Sequence, residues 1–377
     1  MASRRSAAAS PAMAAAAAVV AVSVYLLVCS APAAATAAAV AKKPSYPPVA
    51  KGLSFDHYKK SCPQAEAIVF SFLRDAIGKD VGLAAALIRL HFHDCFVQGC
   101  DASILLTKTP GGPDGEQQAI PNESLRPAAF KAVNDIRALL DRACGRVVSC
   151  SDIVTLAARD SVKLAGGPSY KVPLGRRDGL TSATPSQVLG ALPPPTSHVP
   201  ELIAALAKLN LDAADLIALS GAHTVGIAHC TSFTGRLYPK QDGTMDKWFA
   251  GQLKLTCPKN DTANTTVNDI RTPNAFDNKY YVDLQNRQGL FTSDQDLFVN
   301  ATTRPLVAEF AVDQSAFFHQ FVFSVVKMGQ IQVLTGSQGQ IRANCSVRNP
   351  GAASADEELP WSAAVETVVE AAESIVL

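Results

Sequence analysis

The sequence predicts an all-α fold, a globule of many packed helices, on three observations. Segments 64–77, 80–93, 129–143, 151–164, 199–209, 212–223, 304–313 and 315–328 repeat apolar residues at i, i+3 and i+4, the spacing of a helix with one face against a core. No stretch shows the regular alternation of a large sheet. Pro/Gly clusters at 108–115 (KTPGGPDG) and 192–197 (LPPPTS) separate the periodic segments as loops. Asp152, Asp212 and Ser315 stand where N-caps are expected. No repeat of fixed period is present. The 377 residues are 48% hydrophobic and 18% charged, which fits a folded core rather than a disordered chain. A net charge of +1 argues against a nucleic-acid binder held by a strong positive field.

The charge is unevenly spread. Residues 1–41 contain no acid; their only charges are Arg4 and Arg5, followed by an apolar run from Ala14 to Val28 and small-residue A-x-A sites at Ala35, Ala37, Ala39 and Ala41. This is the pattern of a secretory signal peptide. The run is also long enough for an uncleaved anchor, but Pro32 and the cleavage sites follow it directly. Residues 350–377 carry six acids and no Lys or Arg, leaving residues 42–349 with 32 basic and 27 acidic residues. Within the acidic extension Val365, Val368, Val369, Ala372 and Val376 recur at helical spacing, with Glu366, Glu370 and Glu373 on another face. A sorting propeptide and a ragged terminus both fit.

Of nine cysteines, Cys29 falls in the leader; eight remain, and no C-x-x-C occurs. An even number in an oxidising compartment implies four disulfides, though eight cysteines allow 105 pairings. Sequons stand at Asn122, Asn260, Asn264, Asn300 and Asn344.

Two clusters carry chemistry. The first is RLHFHDCFVQGCDAS, residues 89–103. On a helix Arg89, Phe92 and His93 share a face, while His91 points roughly the other way, so the two histidines do not form one metal site. An Arg beside a neutral His suits proton transfer with stabilisation of developing negative charge; a structural, ion-paired His is the plainer alternative. Asp94, Asp101 and Ser103, with the carbonyls of Val97 and Gly99, offer hard oxygen ligands of the kind Ca²⁺ takes, without the spacing of an EF-hand. Cys95 and Cys100 bracket that loop. The second cluster is LSGAHTVG, where an apolar helix ends at His223 among Gly221, Ala222 and Gly226. Small neighbours leave room for something flat and bulky, and a neutral imidazole can ligate iron; a lone His at a helix end is otherwise a cap or core residue. Downstream, DIRTPNAFDNKYY holds Asp269, Thr272 and Asp277, a second oxygen-rich loop, and Asp294 follows in TSDQDLF.

Together these segments, with VSCSDIVTLAARD and VPLGRRDG, closely resemble the secretory (class III) plant haem peroxidases over residues 53–349. The resemblance implies haem b between a distal and a proximal helical half, two Ca²⁺ ions and four disulfides. His93 matches the distal acid/base, Arg89 the distal arginine, Phe92 the aromatic beside it, and Asn122 the asparagine that orients the histidine. His223 matches the iron ligand and Asp294 its carboxylate partner. Asp94, Val97, Gly99, Asp101 and Ser103, with Glu116 through water, match one calcium site. Thr224, Asp269, Thr272 and Asp277, with the Ala275 carbonyl, match the other. Pro193 matches the proline of the aromatic-donor site, and Asp152 with Arg176 a buried ion pair. The implied disulfides are Cys62–Cys144, Cys95–Cys100, Cys150–Cys345 and Cys230–Cys257. The implied partners are hydrogen peroxide and phenolic donors, with no nucleic acid, no membrane after leader removal, and a monomeric state. The destination is the secretory pathway, in the cell wall or in the vacuole. Three departures stand out. NESLR is one residue shorter than the usual stretch after the orienting asparagine, and Asn122 lies in a sequon whose use would conflict with its role. No aromatic follows Pro193 in PPTSHV.

Overall fold

Twelve α-helices and one two-stranded ribbon make up the computed structural model, which describes residues 46–108, 112–259 and 263–350. The leader and the acidic extension lie outside the described residues, as does Asn260. The helices are α1 Ala65–Lys79, α2 Gly82–Val97, α3 Pro127–Cys144, α4 Cys150–Leu164, α5 Pro185–Ala191, α6 Val199–Ala207, α7 Ala213–Ser220, α8 Lys247–Thr256, α9 Lys279–Gln285, α10 Thr292–Val299, α11 Arg304–Val312 and α12 Gln314–Met328. Strands β1 Ile227–His229 and β2 Thr265–Val267 pair antiparallel.

The eight segments with helical periodicity are all helical, and two of the three expected caps shift. Asp212 caps α7, accepting from the N–H groups of Ala214 and Asp215 at 2.9 Å. The cap of α4 is Ser149, not Asp152: its hydroxyl accepts the Asp152 N–H, and Asp152 sits inside the first turn. The cap of α12 is Asp313, not Ser315, with Oδ1 accepting the Ala316 N–H at 2.9 Å. In both cases the chain enters the helix two or three residues earlier, where an oxygen side chain already stands. Helices α5, α8, α9 and α10 had no periodic signature. Each is 7 to 10 residues long, and the buried faces of α9 and α10 include the polar Asp283, Asp294 and Gln295.

Two groups of helices frame the site. In the first, α2 packs on α4, α4 on α1, and α3 on both α1 and α4. In the second, α7 packs on α12, α9 on α11, and α11 on α12. Four disulfides, Cys62–Cys144, Cys95–Cys100, Cys150–Cys345 and Cys230–Cys257, use all eight cysteines outside the leader. Asp152 and Arg176 form a fully buried ion pair at 2.8 Å, which Tyr58 joins through its hydroxyl. A pair so deep holds only because its remaining donors and acceptors are filled: Arg176 also donates to the carbonyls of Pro173 and Gly329, and Asp152 accepts the Gly175 N–H.

Helix α2 is buried on nearly every side, as its apolar sequence requires. The exception is a stripe of Ala85, Ile88, Arg89 and Phe92, spaced i, i+3, i+4 and i+7, which is only half-buried.

Candidate active site

Regular helix α7 stops at Ser220 rather than running to residue 223. The chain tightens into a 3₁₀ turn over Gly221–Thr224 that carries His223. Gly221 is required by close approach: a Cβ there would lie 2.3 Å from the Tyr281 hydroxyl oxygen. Beyond the turn, Gly226 takes φ +99°, and a Cβ on it would come within 3.0 Å of the Ala85 Cβ. The turn and α2 thus close on each other at one end of the half-buried stripe.

On the α2 side, Arg89 Nε donates to His93 Nε2 at 3.1 Å, and His93 Nδ1 lies 2.5 Å from Asn122 Oδ1. Both contacts are satisfied when Nδ1 carries the proton and Nε2 the lone pair, an assignment made from the network. Asn122 is itself fixed, because its amide nitrogen donates to the Glu116 carbonyl at 2.8 Å. Arg89 is held by the carbonyls of Pro121 and Ser124 and by the Ser124 hydroxyl. The shortened NESLR loop therefore supplies a brace for Arg89 rather than displacing Asn122. The Asn122 amide is buried and engaged, so a glycan on it is incompatible with this geometry; Asn264 and Asn344 are exposed sequons. Burial, and then the Arg89 charge, push the His93 pKa down to about 3, against a smaller upward pull from Asn122. Phe92 stands perpendicular to the His93 ring at 5.1 Å between centroids. The set amounts to a neutral imidazole with a guanidinium beside it, next to the half-buried stripe of α2.

On the 3₁₀ turn, His223 Nδ1 bonds to Asp294 Oδ1 at 2.8 Å, with Asp294 2% exposed and the His223 side chain 40% exposed. Asp294 is held by the Phe291 N–H on Oδ2 and by the Tyr280 hydroxyl on Oδ1. An imidazole whose Nδ1–H is committed to a carboxylate keeps its Nε2 lone pair for a metal. A half-buried stripe on α2 and an imidazole whose side chain is 40% exposed fit a flat metal-bearing cofactor such as haem.

Two oxygen cages adjoin these histidines in the chain, one beginning at Asp94 and one at Thr224. In the first, Asp94 Oδ2 accepts the Ala102 N–H and Asp101 Oδ1 the Ser103 N–H, each at 3.0 Å. Asp94 Oδ1, Ser103 Oγ and Glu116 Oε2 are buried and take no hydrogen bond from the protein. Orphaned oxygens at this depth are costly, and a hard cation would satisfy them. Glu116 Oε1 accepts the Ala183 N–H at 3.0 Å, and burial raises its pKa to about 7. Burial together with Asp101 and Glu116 raises that of Asp94. Gly99 takes φ +98° where the loop bends, and Val97 ends α2. In the second cage, the Thr224 hydroxyl reaches Asp269 Oδ2 at 2.9 Å and lies near Asp277 and the Ala275 carbonyl. Thr272 donates to Asp277 at 3.0 Å. Among the described residues no three His, Cys, Asp or Glu side chains form one metal cluster; each cage combines two direct carboxylates with hydroxyls and main-chain carbonyls, a donor set that fits Ca²⁺.

Pro193 is half-buried in the loop between α5 and α6. It enters no polar contact with Arg89 or His93; α5, just before it, packs on α2 and on the Ile120–Asn122 turn. Several contributors carried no sequence signal. Ser124 holds Arg89, Tyr280 shares Asp294, and Arg342 is fully buried beside the first cage, donating to the Ala102 carbonyl at 2.7 Å. Each acts from a distant chain segment that no local spacing announces.

Residues 69–313 match the family model described as peroxidase. The chain is 65% identical over 328 residues to cationic peroxidase SPC4 of Sorghum bicolor, covering 87% of this chain and 89% of that protein. It is 59% identical to peroxidase 12 of Arabidopsis thaliana over 80% of this chain and 84% of that one, and 48% identical to peroxidase 42 of Zea mays over 78% and 89%.

Proposed function

The chain belongs to the class III plant peroxidases and is an enzyme acting on hydrogen peroxide, and from that premise we propose that it oxidises phenolic donors in one-electron steps while reducing peroxide to water, using haem b held by His223. The haem supplies the capacity to accept two oxidising equivalents and return them singly. The chain's residues do the rest. His93 Nε2 takes the proton from the near oxygen of peroxide and returns it to the far oxygen, which leaves as water; Asn122 keeps Nδ1 protonated so that Nε2 is the base. Arg89 faces the same position and stabilises the negative charge of the departing oxygen, a contribution on the order of 2.7–4 kcal/mol. On the other wall Asp294 draws on the His223 Nδ1 proton and raises the basicity of Nε2. Pro193 borders the donor site.

The observation that carries this reading is a pair of differently held histidines, His93 on an amide and His223 on a carboxylate, on elements that meet where Gly226 approaches Ala85. Stopped-flow absorption of the haem-loaded protein tests it: peroxide changes the haem spectrum within the mixing experiment, and a panel of phenols restores it in two phases. A spectrum that peroxide leaves unaltered overturns it.

We assign Ca²⁺ to both cages, supported by the three orphaned oxygens of the first. Chelation then lowers thermal stability and loosens the haem, since a ligand at 100 times its Kd contributes about 2.7 kcal/mol. Calorimetry with and without chelator measures it, and identical transitions would remove the assignment. Four disulfides accord with passage through the secretory pathway. No helix among the described residues is long and apolar enough to cross a membrane. We further propose a monomer that binds no nucleic acid, destined for the cell wall, or for the vacuole if the extension after residue 350 is a sorting signal. A fluorescent fusion with and without that extension separates the two.

A further inference from the structure

Asp294 Oδ1 accepts two hydrogen bonds. His223 Nδ1 is 2.8 Å from it and the Tyr280 hydroxyl 2.9 Å. The other oxygen, Oδ2, takes only the Phe291 N–H at 2.9 Å. Tyr280 is 2% exposed, and its ring stands perpendicular to the His223 ring at 6.1 Å between centroids. Its position is not free to drift. The next residue of α9, Tyr281, donates to the Ile217 carbonyl of α7 at 2.9 Å and packs against Gly221 in the turn that carries His223. The same two helices therefore fix the imidazole and the phenol relative to one carboxylate oxygen.

We propose that Tyr280 is a positioning residue for the iron ligand: by sharing Asp294 Oδ1 with His223 it limits how far the carboxylate draws the imidazole proton. A carboxylate oxygen has a fixed charge to distribute among its donors. A second O–H donor takes part of that charge and leaves a weaker acceptor for the Nδ1–H. The imidazole then keeps more of its proton, its Nε2 donates less strongly, and the iron it holds is less stabilised in its higher oxidation state. The hydroxyl acts as a brake on the pull that Asp294 exerts. The inference rests on His223 being the haem ligand.

Tyr280→Phe removes one oxygen and keeps the ring that packs against His223 and Tyr281. In the haem-loaded enzyme its ferric/ferrous midpoint potential is expected to move to lower values, and the iron–imidazole stretch of the ferrous form to higher frequency. Tyr280→Leu, which also lacks the hydroxyl, must shift the potential in the same direction. In an Asp294→Asn background, Tyr280→Phe should add little, because the tyrosine acts through that carboxylate. Potential and stretching frequency both unchanged in Tyr280→Phe, or shifted the opposite way, overturn the proposal. So does an equal shift in the Asp294→Asn background. His223→Ala run alongside distinguishes this failure from that of the functional reading. If it leaves the haem spectrum as in the parent, the ligand assignment itself falls.

Discussion

His93 and His223 are the same residue under opposite regimes. His93 is 5% exposed and bonded to an amide oxygen, with a guanidinium at its other nitrogen; His223 is half-buried and bonded to a carboxylate. An amide holds a neutral ring in one tautomer without drawing its proton away, which suits a base that must both take and return one. A carboxylate draws the proton and enriches the far nitrogen, which suits a metal ligand. The chemistry of each ring is set by its partner.

Removing either ring tests the contrast at its widest. His93→Leu should lower the rate with peroxide by at least about 10²–10⁴-fold while haem is retained. His223→Ala should do the reverse to haem retention, leaving the distal contacts in place. Haem content and the second-order rate constant for peroxide, measured on both variants, check it. A His93→Leu enzyme that reacts at the parent rate would end the assignment of roles.

Exchanging partner types is subtler. In the parent, His93 stays unprotonated down to a pKa of about 3, so the acid limb of the peroxide step lies well below the ordinary histidine value near 6.5. Asn122→Asp gives the distal ring the kind of partner that His223 has. A carboxylate favours the charged imidazolium, so the pKa rises and the acid limb moves up, by about 1–3 pH units. The rate constant for peroxide measured against pH reports it directly. A limb that stays where it was would mean that the partner at Nδ1 does not influence the ring's protonation, which burial and Arg89 then set alone.

Much of this site was legible in the chain itself, and the missing parts share a cause. Arg89, Phe92 and His93 were readable because helix spacing puts them on one face, and the half-buried stripe of α2 lies on that face. The membership of His93 and His223 in one site was not: 130 residues separate them, and only the resemblance joins them. The caps Ser149 and Asp313 were displaced because neighbouring oxygen side chains compete for the same N–H groups, and geometry rather than composition decides. Helices α9 and α10, which carry Tyr280 and Asp294, bury Asp283, Asp294 and Gln295 among their apolar residues, so their buried faces show no apolar period. Buried polar residues held by tertiary contacts are where local pattern gives least, and here they hold the carboxylate that bonds to His223.

The smallest effect separates burial from partner. His91 lies one turn-face away on α2, 2% exposed, with its pKa lowered to about 3 by burial and then by the Arg176 charge, but it has no amide partner. It shares the cause that dominates for His93 and lacks the orienting bond. An unfolded histidine titrates near 6.5, so between that pH and about 3 the unfolded chain binds a proton at this position and the native one does not. Stability therefore falls as pH is lowered through that window, each such histidine contributing up to about 1.4 kcal/mol per pH unit. His91→Gln deletes one titrating group. Whatever it costs at neutral pH, its unfolding free energy should decline less steeply than the parent's between pH 6 and 4, with the difference in slope approaching that of one proton. Urea midpoints across the range measure it. Parallel slopes would show that water reaches His91 in the native state, and that burial alone does not explain why His93 stays neutral.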